Sequence, residues 1–293
     1  MASDGLPAAV VTDSAAGFPP GWLDGQGRAG GVTVVPLPVL IAGQIYSDGG
    51  DSLVEPLTIA LAQGSEVRTS RPSPGQFERA YRALEAEGHS GIISIHLSGA
   101  LSGTVDAARL AASSVGVPVE VIDSRTAGMP LGYAAVAALQ SLQQGASLER
   151  SAAAAAIVCR TSELYFYVPS LDQLRRGGRI SAAASWLGNV LSVKALLRIQ
   201  DGRVVPVEKV RTADRALDRL LEIVQGAAAA RPGGSEITVH HFGNDDEAAG
   251  FAARLESCLP GTPVSLARCP SVLAAHAGLG VMAVAVVPRP LSS

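Results

Sequence analysis

The chain has 293 residues, 47% of them hydrophobic, with a formal net charge of −3 and three cysteines. That length exceeds a single small core and suits two domains of roughly 150 residues each. The near-neutral charge leaves no basic footprint for nucleic acid or an anionic membrane surface, and lysine occurs only at Lys194 and Lys209.

From the N-terminus, short aliphatic runs alternate with segments of helical period. "AAVVTDS" (8–14), "VTVVPLPVLI" (32–41), "GIISIHL" (91–97) and "VPVEVIDS" (117–124) read as strands of the first half. "LYFYV" (164–168), "VKALLRI" (193–199), "EITVHHF" (236–242), "VSLARC" (264–269) and "VMAVAVV" (281–287) read as strands of the second. The alternation predicts an α/β fold, with a mostly parallel N-terminal sheet carrying helices on both faces and a mixed C-terminal sheet. One helix start is well signalled: Ser73 as N-cap, Pro74 at the first helical position and Gln76 completing a capping box. Phe77, Tyr81 and Leu84 then fall on one apolar face. "QDGRV" (200–204) carries the Asp-Gly of a tight hairpin. The domain boundary is placed near residue 160, giving 1–160 and 161–293.

Cys159, Cys258 and Cys269 lack C-x-x-C spacing and read as buried thiols in a reducing compartment. No basic segment precedes an apolar core at the N-terminus, and no uninterrupted apolar run reaches about 18 residues. A soluble, cytoplasmic protein is expected. Acidic and histidine residues show no metal-ligand spacing, so no metal and no cofactor are expected.

Four strand-to-loop junctions hold small polar residues: "TDS" (12–14), "TSRPS" (69–73), "LSGALSGT" (97–104) and "IDSRTAG" (122–128). Polar clusters beyond the carboxyl ends of strands are where open α/β sheets bind ligands. Capping is the plainer reading for the first and last of these. Ligand contact is favoured for the middle two, since Ser73 already serves as the cap and leaves Thr69 and Ser70 unexplained. "LSGALSGT" has neither the G-x-S-x-G of a nucleophile elbow nor the lysine of a phosphate loop. It is therefore read as an anion-holding helix entrance. In the second half, "RRGGRIS" sets Arg179 behind two glycines that let the backbone approach something closely. Lys209 and Arg211 end a strand, and His276 sits among small residues in "AHAGLG". His240 and His241 point to opposite faces of a strand and read as structural.

Taken in order, these motifs resemble the DegV family of bacterial fatty-acid-binding proteins. The matching stretches are "TDSAAGFP", "VVPLPVLIAGQIYSDG", "TSRPSPGQFERAY", "LSGALSGTVDAA", "VIDSRTAGMPLG", "PSLDQLRRGGRIS", "LSVKALLRIQDGRV" and "AHAGLG". The resemblance implies two α/β domains holding a long-chain fatty acid, its tail in an apolar tunnel of the N-terminal domain. It further implies a carrier without catalytic activity of its own, which presents the carboxylate to a separate ATP-binding fatty acid kinase subunit. The acyl-phosphate so formed would feed phospholipid synthesis. Carried over by position, Thr69, Ser70, Ser98, Gly99, Arg211 and His276 are expected at the carboxylate, with Arg179 and Arg71 on the headgroup or partner side. The chain departs from the family pattern at Arg71, Ala195, Ala277 and Leu279. The alternative reading is a stand-alone phosphotransferase or hydrolase using His276 with Ser98 or Ser102.

Overall fold

The computed structural model of the chain describes residues 6–19, 21, 31–47, 51–180 and 194–289. The expected strand at 193–199 therefore begins one residue outside them, as do the ends of the motifs at 35–49 and 169–181 and the start of that at 191–204.

The first half runs β1 (Ala9–Asp13), β2 (Val32–Val35), β3 (Pro38–Ile41), β4 (Gln44–Ser47), α1 (Val54–Ala62), β5 (Val67–Thr69), α2 (Pro74–Ala86), β6 (Ile92–His96), α3 (Thr104–Ala112), β7 (Val119–Asp123), α4 (Met129–Gln143) and α5 (Leu148–Thr161). Four strands form an all-parallel sheet in the order β2-β1-β6-β7. Alternation along β1 assigns its faces: Ala9 and Val11 pack with Phe77, Tyr81 and Leu84 of α2, while Val10 packs with Leu131 and Ala134 of α4. Helices thus cover both faces, as expected. At the start of α2, the Gln76 side chain accepts the Ser73 amide at 2.8 Å.

The run 32–41, read as one strand, is two. β2 ends at Val35, and β3 begins at Pro38 in a separate antiparallel sheet of order β4-β3-β5. Pro36 and Pro38 lack the amide that a continuous central strand must donate, so the chain leaves the ladder between them. Leu37, buried at the break, is pinned by its amide to Ser14 Oγ at 3.0 Å.

The second half runs β8 (Glu163–Val168), α6 (Asp172–Arg176), β9 (Lys194–Gln200), β10 (Arg203–Val210), α7 (Ala213–Ala229), β11 (Ser235–Phe242), α8 (Asp245–Cys258), β12 (Val264–Arg268), α9 (Ser271–Ala277) and β13 (Val281–Pro288). Its mixed sheet has the order β10-β9-β8-β13-β11-β12, parallel only at β11–β12. Tyr165, Met282 and Val284 face α7 and α8, packing on Leu220, Val224 and Phe251. Leu164, Phe166, Leu197 and Ala283 face the first half, in one apolar cluster continuous with Val10 and Leu131. The two halves therefore share a core. His240 and His241 do face opposite ways: His240 Nε2 accepts the Met129 amide at 3.0 Å, and His241 lies 3.9 Å from Asp245. Of the cysteines, Cys269 is buried, Cys159 half-buried and Cys258 exposed, so burial of all three does not hold.

Candidate functional site

Between the halves lies an apolar cavity of about 820 Å³, part of it open to solvent. Its walls are built from the inward face of the second half's sheet, from α9 and from loops of the first half, with Leu97 after β6, Ala127 after β7, and Leu164, Phe166, Ile199, Val204 and Ala283 from the second half. The second half supplies more of the lining than the first. The inward faces of β8, β9 and β13 form one of the cavity's walls.

The polar lining groups are Thr69 at the end of β5, Ser70 after it, Ser102 before α3, Arg179 after α6, and His276 on α9. Thr69 Oγ1 lies 2.7 Å from His276 Nε2. Arg179 donates from Nε to the Leu101 carbonyl at 3.1 Å and also bonds the Gly177 carbonyl. Burial, and then the Arg179 cation, push the His276 imidazole down to about 4, so it is neutral at pH 7. The glycine pair before Arg179 has its explanation here. A methyl group on Gly177 would come 2.3 Å from His276 Nδ1, so the loop and the ring can share this space only with glycine at 177. Thr69, Arg179 and His276 also border an outer cleft, whose other walls include Arg68, Gln173 and Arg176. They therefore stand where the cavity meets this outer cleft.

Other expected residues lie elsewhere. Ser98 is fully buried, and its Oγ donates to the Gly202 carbonyl at 2.7 Å. The Gly99 amide goes to Asp123 Oδ1 at 3.0 Å. The amides of Ser98, Ala100, Leu101 and Ser102 are bonded to Thr126 O, Ser98 Oγ, Ser98 O and Ser98 O in turn. The amides of 98 to 102 are thus spent within the fold. What the loop offers the cavity is Ser102, whose Oγ lies 2.8 Å from Thr104 Oγ1. Ser102 entered the sequence reading only as a candidate nucleophile. Arg71 is exposed, its guanidinium against Gly103, and Arg211 is exposed after β10; neither lines the cavity. The hydrogen bond of His276 goes to Thr69 rather than to Ser98 or Ser102, the serines paired with it in the phosphotransferase or hydrolase alternative.

A second histidine constellation was not visible in the sequence. Ser94 Oγ lies 2.7 Å from His96 Nε2, and His96 Nδ1 lies 3.0 Å from Asp13 Oδ2. These are distances of a Ser-His-Asp triad. All three residues are 0% exposed, and the Tyr81 hydroxyl closes the chain against Ser94 at 2.7 Å. No substrate reaches it. Asp13 also accepts the amides of Ala15 and Leu97, so the group ties β1 to β6.

The family model described as "Uncharacterised protein, DegV family" matches residues 7–289. The chain belongs to the DegV family. A DegV domain-containing protein of Streptomyces coelicolor is 40% identical over 284 residues, covering 96% of this chain and 98% of its own. A Thermus thermophilus structure described as "Fatty Acid Binding of a DegV family Protein" superposes with a TM-score of 0.84 at 31% identity, over 96% of this chain and 99% of that one. A Bacillus subtilis structure described as DegV, a fatty acid binding protein, gives 0.86 at 27% identity, over 98% and 100%. This DegV chain shares their mixed α/β fold. Among its described residues no helix is long and apolar enough to cross a membrane, and no cluster of His, Cys, Asp or Glu could hold a metal ion.

Proposed function

We propose that this chain binds a long-chain fatty acid in the cavity between its halves and presents the carboxylate to a separate ATP-dependent kinase subunit. One observation carries the reading: an apolar cavity whose polar end holds a cation, Arg179, with Thr69, Ser102 and His276, and no acidic residue among the described lining groups. A carboxylate supplies the missing charge. Burying about 15 methylenes at roughly 0.8 kcal/mol each gives about 12 kcal/mol before ordering costs. Hydrogen bonds to the charged end need add only about 1.5–3 kcal/mol each. The relatives described as fatty acid binding support the ligand class.

Presentation is supported by the outer cleft, which borders the same Thr69, Arg179 and His276. A carboxylate held there is reachable from outside while its chain stays enclosed. The kinase subunit would supply ATP and the phosphoryl transfer. This chain's part is to fix the carboxylate and keep the acyl chain from water.

Native mass spectrometry of the purified protein tests the ligand. A stoichiometric adduct that releases a long-chain fatty acid on denaturation is expected. A ligand-free mass, with no uptake from oleate or palmitate, overturns the reading. For the second step, hydroxylamine-trapped acyl-phosphate should require ATP, fatty acid, this chain and the kinase subunit together.

A further inference from the structure

We propose that the β9–β10 hairpin is a second gate of the cavity and that Ser98 is the positioning residue that latches it. The hairpin turns at Asp201 and Gly202, with φ of 52° and 78°, the two-residue geometry that Asp-Gly favours. Among the described residues β10 is the outermost strand and pairs with β9 alone, so no further described strand steadies the tip. Its restraint comes from the first half. Ser98 Oγ holds the Gly202 carbonyl at 2.7 Å in a fully buried position. Arg125 reaches the Asp201 carbonyl and carboxylate at 3.3 Å, but that pair is exposed and correspondingly weak. The buried contact leaves no slack: a methyl group on Gly202 would come 2.5 Å from Ser98 Oγ.

The latch holds a cavity wall. Ile199 and Val204, cross-strand partners beside the turn, both line the cavity. Ile199 and its β8 partner Leu164 also line a separate outer cleft with Ser124, Arg125, Tyr165 and Asp201. Ile199 and Leu164 therefore border both spaces. Arg179 follows the Val168 end of β8 and His276 precedes β13, so they stand at the opposite end of these strands from the tip. Releasing the tip would join cavity and cleft at Ile199 and Leu164, giving an acyl chain a way in and out; Ser98 shares its loop with Ser102 and with Leu101, whose carbonyl Arg179 holds. The acyl ligand rests on the reading above; the latch itself does not.

Two measurements on the full chain test this, with Ser98→Ala, Gly202→Ala, the double variant and the surface change Asp201→Ala. The first is hydrogen exchange of the amides of 199–206 without ligand. The second is stopped-flow transfer of bound cis-parinaric acid to phosphatidylcholine vesicles. Ser98→Ala should speed both hairpin exchange and ligand release about tenfold, from loss of the buried bond to Gly202; the bond it also loses, from the Ala100 amide, lies within the loop and does not hold the hairpin. Loading should quicken with release, so that affinity moves much less. The double variant should add little to either single, and Asp201→Ala should give about twofold. Unchanged hairpin exchange in Ser98→Ala overturns the latch. So does a loss of affinity as large as the gain in release rate, because Ser98 would then be holding the carboxylate. If the parent protein takes up no fatty acid, the acyl reading fails and hairpin exchange alone decides the latch.

Discussion

Two histidines of this protein make similar hydrogen bonds in opposite settings. His96 lies between Ser94 and Asp13, wholly buried, with its carboxylate partner built into the fold. His276 lies against Thr69 and near Arg179 at the end of an apolar cavity, with no acid among the described residues that line that cavity. The first set is closed in its hydrogen bonds, and it holds two strands together. The second is open by one negative charge. Catalytic-looking distances alone would have chosen the wrong histidine; access and charge balance separate them.

That contrast can be broken or sharpened by experiment. The largest effect is expected from Asp13→Ala, which strands His96 and two buried amides. Urea unfolding should show a loss of about 3–5 kcal/mol, while the folded fraction keeps its affinity for oleate. Loss of oleate binding by the folded protein would mean the two sites are not independent. Next comes acid. His240 and His276 are both held down to about 4, chiefly by burial, whereas the unfolded chain protonates them near 6.5. Stability should therefore be full above about pH 6.5 and fall as pH drops towards 4, by on the order of 3 kcal/mol for each residue. In the loaded protein the carboxylate favours protonated His276 and part of that loss should vanish. Thermal unfolding at pH 7 and pH 5, with and without oleate, reads the difference.

A smaller effect belongs to Arg179→Met. It should weaken oleate binding about 10- to 100-fold and leave methyl oleate nearly unchanged, as measured by competition. Equal losses for acid and ester would remove Arg179 from the carboxylate. The smallest is a fraction of a proton. Binding of oleate at pH 6 should take up protons and grow tighter as pH falls, because the anion raises the pKa of His276. Calorimetry in two buffers of different ionisation enthalpy detects this, and His276→Gln should abolish it.

What the sequence showed well was local. The cap at Ser73 and Gln76, the face of Phe77, Tyr81 and Leu84, and the Asp-Gly turn each follow from residues a few positions apart. The division of 32–41 was also legible in Pro36 and Pro38, since neither suits a central strand. What could not be read depends on distant partners. Which serine of "LSGALSGT" faces the cavity is decided by Gly202, 104 residues from Ser98, and by Arg179 reaching Leu101 across 78. The group of Asp13, His96 and Ser94 is likewise invisible until β1 and β6 lie side by side. Arg179 and His276 were found by glycine context and by family likeness, and the shared space at Gly177 is the physical reason that context carried information.

Gly177 has a practical corollary. Apart from the loop's own carbonyls, what stands over it is the ring of His276, yet any side chain placed there must displace that ring and, with it, the hydroxyl of Thr69. A saturation scan scored on lipid retention would therefore rank position 177 beside the true contact residues. Its one distinguishing mark would be epistasis: with His276 already cut back to alanine, a substitution at 177 should do no further harm.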